Sequence, residues 1–209
     1  TQLHTVPDGM SNEAAVLTEP LSCALHGVLG VRVHEDARVL VVGAGTVGLL
    51  TVAALRNLVP NCTIVVVAKY PHQRKMAREL GCDHVVTPGS DLYKRLSKLT
   101  GASMHTLPLG KPAIVGGFDI TFECAGSGNG FEDAIRWTRA QGTVVLTGMP
   151  HSNTMDLTPM WYKELSVIGS YTYGVERYNN AKVKTFRIAL DMLSGEWGEK
   201  LATLVRHRF

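Results

Sequence analysis

The spacing of hydrophobic and polar positions changes period repeatedly along the chain. Arg38 to Val42 is a continuous β-rich apolar run closed by glycine, the pattern of a parallel strand covered on both faces. From Thr46 to Leu58 the period becomes helical, with Val47, Leu50, Ala54 and Leu58 on one stripe, and Pro60-Asn61 ends it. Thr63 to Val67 reads as the next strand. Pro71 to Leu80 follows as a basic helix with Met76 and Leu80 one turn apart, stopped by Gly81. A short strand at His84 to Val86, a helix after Ser90 with Leu92, Leu96 and Leu99 inward, and a strand at Asp119 to Cys124 continue the series. Phe131 to Arg139 is predicted helical, and Thr143 to Thr147 and Leu165 to Ser170 are predicted strands. Ala181 to Leu193 is predicted as a final helix with Val183, Phe186, Leu190 and Leu193 along one face.

Ahead of the first strand, Ser11 suits the N-cap of a helix from Asn12 to Leu17, and Pro20 opens a second helix through about Leu29. Strand and helix thus alternate with short connections, which predicts an α/β fold with one doubly wound parallel sheet. Gly101 to Gly117, rich in Gly and Pro, breaks the alternation and is predicted to be a surface loop or flap.

Composition narrows the function classes. The 209 residues with 45% hydrophobic content suffice for a packed domain. A net charge of +3 without runs of one sign does not point to nucleic acid. No apolar run reaches the roughly 18 residues of a membrane span. Cys23, Cys62, Cys82 and Cys124 form no C-x-x-C pair, so neither a closed zinc knuckle nor a redox motif is expected, and reduced thiols in a cytoplasmic protein are. The chain begins at Thr1 and stops at Phe209, and it reads as a fragment.

Candidate chemistry centres on Gly43-Ala44-Gly45-Thr46-Val47-Gly48, a G-x-G-x-x-G that follows a predicted strand and opens a predicted helix, as a dinucleotide fingerprint requires. Gly43 permits the tight turn, Gly45 lets a pyrophosphate approach the backbone, and Gly48 lets helix pack on strand. The free amides around Thr46 and Val47 would face the phosphates. The bland alternative is a strand-to-helix turn that merely needs glycine. About twenty residues on, an NAD-preferring domain places an acid on the adenosine ribose, but here Ala68 ends the strand and Lys69 follows. A carboxylate would repel a 2′-phosphate, whereas Lys69 with Arg74 would bind one, so NADP is expected over NAD. A solvated lysine at a strand end is the competing reading of Lys69. Residues 37–209 are therefore expected to form a dinucleotide-binding Rossmann domain, with 1–36 as lead-in helices.

Several motifs in order carry a resemblance. Val6-Pro7-Asp8-Gly9-Met10-Ser11, Glu19-Pro20-Leu21, Val39 to Gly48, Glu123-Cys124-Ala125-Gly126 and Gly142 to Gly148 resemble the zinc-dependent medium-chain alcohol dehydrogenases, nearest their sorbitol and threonine dehydrogenase branch. The resemblance implies that Cys124-Ala125-Gly126 and Thr147-Gly148-Met149 line the nicotinamide half of the cofactor cleft. It also implies that Glu19 sits beside a catalytic zinc, as ligand or as partner of the bound water. Glycine-rich turn chemistry for the first two, and a carboxylate stabilised by the helix dipole for Glu19, are the simpler readings. Members of the family carry an N-terminal catalytic domain supplying Cys and His zinc ligands, which nothing in this chain replaces. They commonly pair edge strands into homodimers or homotetramers. His26 and the other histidines show no metal-ligand spacing and read as ordinary helix or surface residues.

The resemblance implies a cofactor-binding part of a zinc-dependent oxidoreductase that moves a hydride between NADP(H) or NAD(H) and a small-molecule alcohol or carbonyl. A non-catalytic dinucleotide-binding sensor or subunit module fits the same residues. A methyltransferase also uses a glycine-rich first turn, but it wants an acid where Ala68 stands.

Overall fold

A computed structural model describes residues 3–107, 110–149 and 154–207. Two helices come first, α1 (Asn12–Ala15) and α2 (Thr18–Leu29). Ser11 caps α1, its hydroxyl accepting from the Ala14 amide at 3.2 Å, and α2 begins two residues before Pro20, which occupies its first turn. The series continues with β1 (Arg38–Val42), α3 (Thr46–Leu58), β2 (Thr63–Val67), α4 (Pro71–Glu79), β3 (His84–Val86) and α5 (Leu92–Thr100). A hairpin of β4 (Ser103–His105) and β5 (Ala113–Val115) precedes β6 (Phe118–Glu123), α6 (Gly128–Trp137), β7 (Thr138–Leu146), α7 (Thr158–Tyr162) and β8 (Ser166–Gly169). A second hairpin, β9 (Val175–Tyr178) and β10 (Ala181–Lys184), leads into α8 (Thr185–Ser194) and α9 (Trp197–Ala202).

Six strands form one sheet in the order β3-β2-β1-β6-β7-β8, and every pairing is parallel. Ranked by chain order within that sheet, this is 3-2-1-4-5-6, the doubly wound Rossmann order, with its reversal point between β1 and β6. Alternate residues of each strand feed opposite cores, as the pleat dictates. Val39, Val41, Ile64, Val66 and Phe122 pack with α2, α3 and α8, whereas Leu40, Val42, Val65, Val67 and Val144 pack with α5 and α6. Leu21, Leu25 and Val28 of α2 join the first of these cores, so the leading helices share the packing of the sheet.

Four expectations are corrected. Thr138 and Arg139 open β7 instead of closing the helix before it, which ends at Trp137. The stretch 101–117 is not a plain loop: β4 and β5 pair antiparallel, Ser103 opposite Val115, and Lys111 ties the hairpin to Asp133 and Glu132 at 2.7 and 3.2 Å. Residues 108 and 109 of that stretch lie outside the described residues, as do Arg208 and Phe209. Ala181 to Lys184 is strand, not helix. Asn179 and Asn180 take φ of 48° and 61°, the left-handed pair of a tight hairpin turn, and Val183 pairs with Glu176 rather than extending the α8 stripe. Leu99 is 38% exposed because the last turn of α5 borders the groove beside edge strand β3, where no layer covers it.

Candidate functional site

The turn after β1 meets the turn after β6 at the reversal point of the sheet. Gly43 has φ of +94°, and a Cβ there would stand 2.9 Å from the Ala125 amide nitrogen and 3.0 Å from the Ala125 Cα and Cβ. Glycine is required twice over, by conformation and by contact. At Gly48 a Cβ would collide with the Gly43 carbonyl oxygen, so α3 reaches β1 only without a side chain here. Gly45 is the reverse case: nothing lies within 4 Å of its missing Cβ, and its open side gives onto solvent. It caps α3 without a side-chain hydrogen bond, and the first turn of α3 carries no acid. Thr46 is exposed and Val47 half-buried at that helix start. Among the described residues no carboxylate is bonded to the amides there, which suits an external anion.

The second strand ends beside this turn, the Gly43 amide donating to the Val67 carbonyl at 3.1 Å. Ala68 is fully buried, its amide bonded to the Val86 carbonyl at 2.9 Å, and the chain then emerges at Lys69. The Lys69 ammonium lies 5.4 Å from the centre of the Tyr70 ring, and Arg74 donates through Nη1 to the Lys69 carbonyl at 2.7 Å. Among the described residues neither cation has an ion-pair partner.

At the carboxyl ends of β6 and β7 stand Cys124-Ala125-Gly126 and Thr147-Gly148-Met149. Gly126 has φ of +65°, and its missing Cβ faces the Met149 backbone at 3.3 Å. Met149 is largely exposed at the sheet's end. Burial pushes the Cys124 thiol up to about 12, so it is no nucleophile near neutrality. One residue organises both turns. The carboxylate of Glu123, fully buried, accepts from the amides of Ala125 at 3.0 Å and Gly126 at 3.1 Å, and the Glu123 carbonyl accepts from Thr147 at 3.0 Å and Gly148 at 2.8 Å. Sequence reasoning passed over Glu123 as part of a motif. Its signal was an acid at the carboxyl end of a predicted strand, directly before a glycine turn.

Glu19 is exposed on α2 and accepts from the Cys23 thiol at 3.5 Å. Desolvation, with the Glu19 charge second, holds that thiol at about 12. One carboxylate and one protonated thiol fall short of the four donors of a tetrahedral zinc site, and no group of three metal-binding side chains converges among the described residues. The residues present therefore do not hold zinc by themselves. His26, expected to be an ordinary helix residue, instead lies 2.6 Å from the buried Glu176 carboxylate and fastens the β9–β10 hairpin to α2.

The four thiols are all unpaired, and no described helix is long and apolar enough to cross a membrane.

The family model for zinc-binding dehydrogenases matches residues 46–192. A sorbitol dehydrogenase of Arabidopsis thaliana is 33% identical over 98% of this chain and 51% of its own length. An L-idonate 5-dehydrogenase of Vitis vinifera is 31% identical over 98% of this chain and 51% of its own. Among solved structures, 2R,3R-butanediol dehydrogenase of Bacillus subtilis superposes with a TM-score of 0.71 at 25% identity, over 91% of this chain and 48% of that one. A zinc-binding dehydrogenase structure from Sinorhizobium meliloti 1021 bound to NADP gives 0.68 at 25% identity, over 97% and 52%. The chain spans about half the length of the relatives it matches.

Proposed function

Because this chain belongs to the zinc-binding dehydrogenase family, we propose that it forms the cofactor-holding half of an oxidoreductase that moves a hydride between NADP(H), or NAD(H), and a small-molecule alcohol or carbonyl. The observation that carries this reading is the division of labour among three glycines. Gly43 and Gly48 are held by collisions inside the fold, while Gly45 is needed by nothing inside it and leaves open space for a pyrophosphate. The amides of Thr46 and Val47 complete that phosphate seat. When bound, the dinucleotide supplies or accepts the hydride at its nicotinamide ring.

Residues 37–209 are the dinucleotide-binding domain in this reading, and 1–36 lead in from the catalytic half. Ala68 removes the acid that would repel a 2′-phosphate, and Lys69 and Arg74 supply positive charge for it, favouring NADP. The NADP-bound relative from Sinorhizobium meliloti supports the choice. Cys124-Ala125-Gly126 and Thr147-Gly148-Met149 would wall the nicotinamide. Glu19 would face a zinc held mainly by residues outside this chain. Edge strand β8, with Ile168 and the neighbouring Trp161 exposed, supports a homodimer or homotetramer, and the four free thiols support a cytoplasmic setting. Light scattering would measure the first and localisation of a tagged protein the second.

Titration of the 209-residue chain with NADPH, NADH and S-adenosylmethionine tests the cofactor. Saturable binding of the nicotinamide cofactors, NADPH tighter, is the expected outcome. Binding of S-adenosylmethionine alone overturns the reading.

A further inference from the structure

Glu123 is fully buried at the carboxyl end of β6, and among the described residues no cation pairs with it. A lone carboxylate in such a place is costly unless hydrogen bonds replace its water. Its partners are the amides of Ala125 and Gly126, with the Ser127 amide adding to the set. Desolvation nevertheless outweighs those bonds and leaves the carboxyl above its ordinary range. The surroundings are cut to its shape. A Cβ on Gly130 would stand 2.6 Å from Oε1, and one on Gly148 would stand 2.6 Å from Oε2.

A side chain kept only to fold this turn would need contact with the 124–126 segment alone. The Glu123 side chain does more, because its Oε2 also lies against Gly148, whose amide, with that of Thr147, donates to the Glu123 carbonyl. Its side chain fixes one turn and its main chain fixes the other. The packing of Oε2 against Gly148 makes the side chain a spacer between them.

We propose that Glu123 is a positioning residue that sets the gap between turns 124–126 and 147–149, and with it the seat of the nicotinamide half of the dinucleotide. The inference rests on the cofactor reading above. Its particular claim is that one half of the cofactor senses this residue and the other does not. In that reading the adenosine half meets Gly45 and Lys69, just past the ends of β1 and β2, and Arg74 of α4.

The test compares NADPH with adenosine 2′,5′-bisphosphate, which lacks the nicotinamide half, by calorimetric titration of the full chain and its Glu123→Gln variant. Glutamine keeps the volume but turns an amide donor toward backbone N–H groups that are themselves donors. NADPH affinity is expected to fall by about tenfold or more while the bisphosphate stays within about twofold. Equal losses for both probes, or no loss for either, overturn the proposal and leave the cofactor reading standing. A wild-type chain that binds neither probe overturns both. Should Glu123→Gln fail to fold, Glu123→Asp, which keeps the charge but withdraws it by one methylene, decides by the same ratio, with an intermediate loss of NADPH affinity expected and an unchanged ratio contrary to the proposal.

Discussion

The carbonyl oxygen of Gly43 occupies the space that a side chain on Gly48 would need, so the start of α3 and the end of β1 touch backbone to backbone. Gly45, between them in sequence, touches nothing with its missing side chain. Replacing Gly48 by Ala is therefore expected to cost about 1–3 kcal/mol through overpacking. Replacing Gly45 by Ala is expected to cost less than about 1 kcal/mol, since only a helix N-cap preference is lost. NADPH affinity should fall in both. Chemical melts alongside NADPH titration separate the two variants, and a Gly45→Ala protein that binds as wild type would refute the phosphate seat.

In the proposed reading, cofactor choice turns on the residue after Ala68. Exchanging Lys69 for Asp places a carboxylate where a 2′-phosphate would lie, and NADP(H) affinity should drop by about 10-fold to 100-fold while NAD(H) affinity rises. NADPH and NADH fluorescence titrations read both values. An unchanged NADP(H) affinity rules out the role given to Lys69.

The Lys163 ammonium is buried and donates to the carbonyls of Arg136 at 2.6 Å and Thr138 at 2.8 Å, closing the end of α6. Burial, with the Arg136 charge second, lowers its pKa from 10.5 to about 8. Below pH 8 both the folded and the unfolded chain carry the proton, and the fold bears the whole cost of the buried charge. Between about 8 and 10.5 the folded chain releases the proton first, the unfolded chain binds more, and this group's contribution to stability rises with pH. Urea midpoints of wild type minus those of Lys163→Met should accordingly increase from pH 7.5 to pH 10. A difference that is flat over that range contradicts the assignment.

His26 and Glu176 hold the β9–β10 hairpin to α2, and Thr185 adds a hydroxyl bond to the same carboxylate at 2.8 Å. Removing the imidazole strips one partner from a buried acid, so His26→Ala should lose about 1–3 kcal/mol. Thermal melts measure it, and a melting point equal to wild type would show that the pair contributes nothing. Hydrogen exchange at Val175 to Lys184 should rise in the same variant.

Much of this fold was legible from local pattern. The bounds of α3 and of β1 and β2 follow from runs and periods that need no partner to be read, because a doubly covered strand must be predominantly apolar and a covered helix must carry a stripe. The glycine turn was legible for the same reason: its demands are made within six residues. Val183 misled because its spacing to Phe186 and Leu190 fits a helix, while the left-handed backbone at Asn179 and Asn180 turned it into a strand. The hairpin at 103–115 was hidden because two three-residue strands show too little alternation to register.

The residues that act across distance were the ones out of reach. Glu123 reads as one more letter of a motif until its carboxylate is found under three backbone amides and its carbonyl beneath two more from the turn after β7. His26 reads as a helix histidine until a strand 150 residues later brings Glu176 to it. By itself the sequence determined the central strands and the helix α3, and that a glycine turn joins that helix to the first strand, since those properties depend on neighbours along the chain. Only the tertiary structure decided which turns meet at the reversal point and what spaces them, because burial and hydrogen-bond partners there come from strands far apart in the chain.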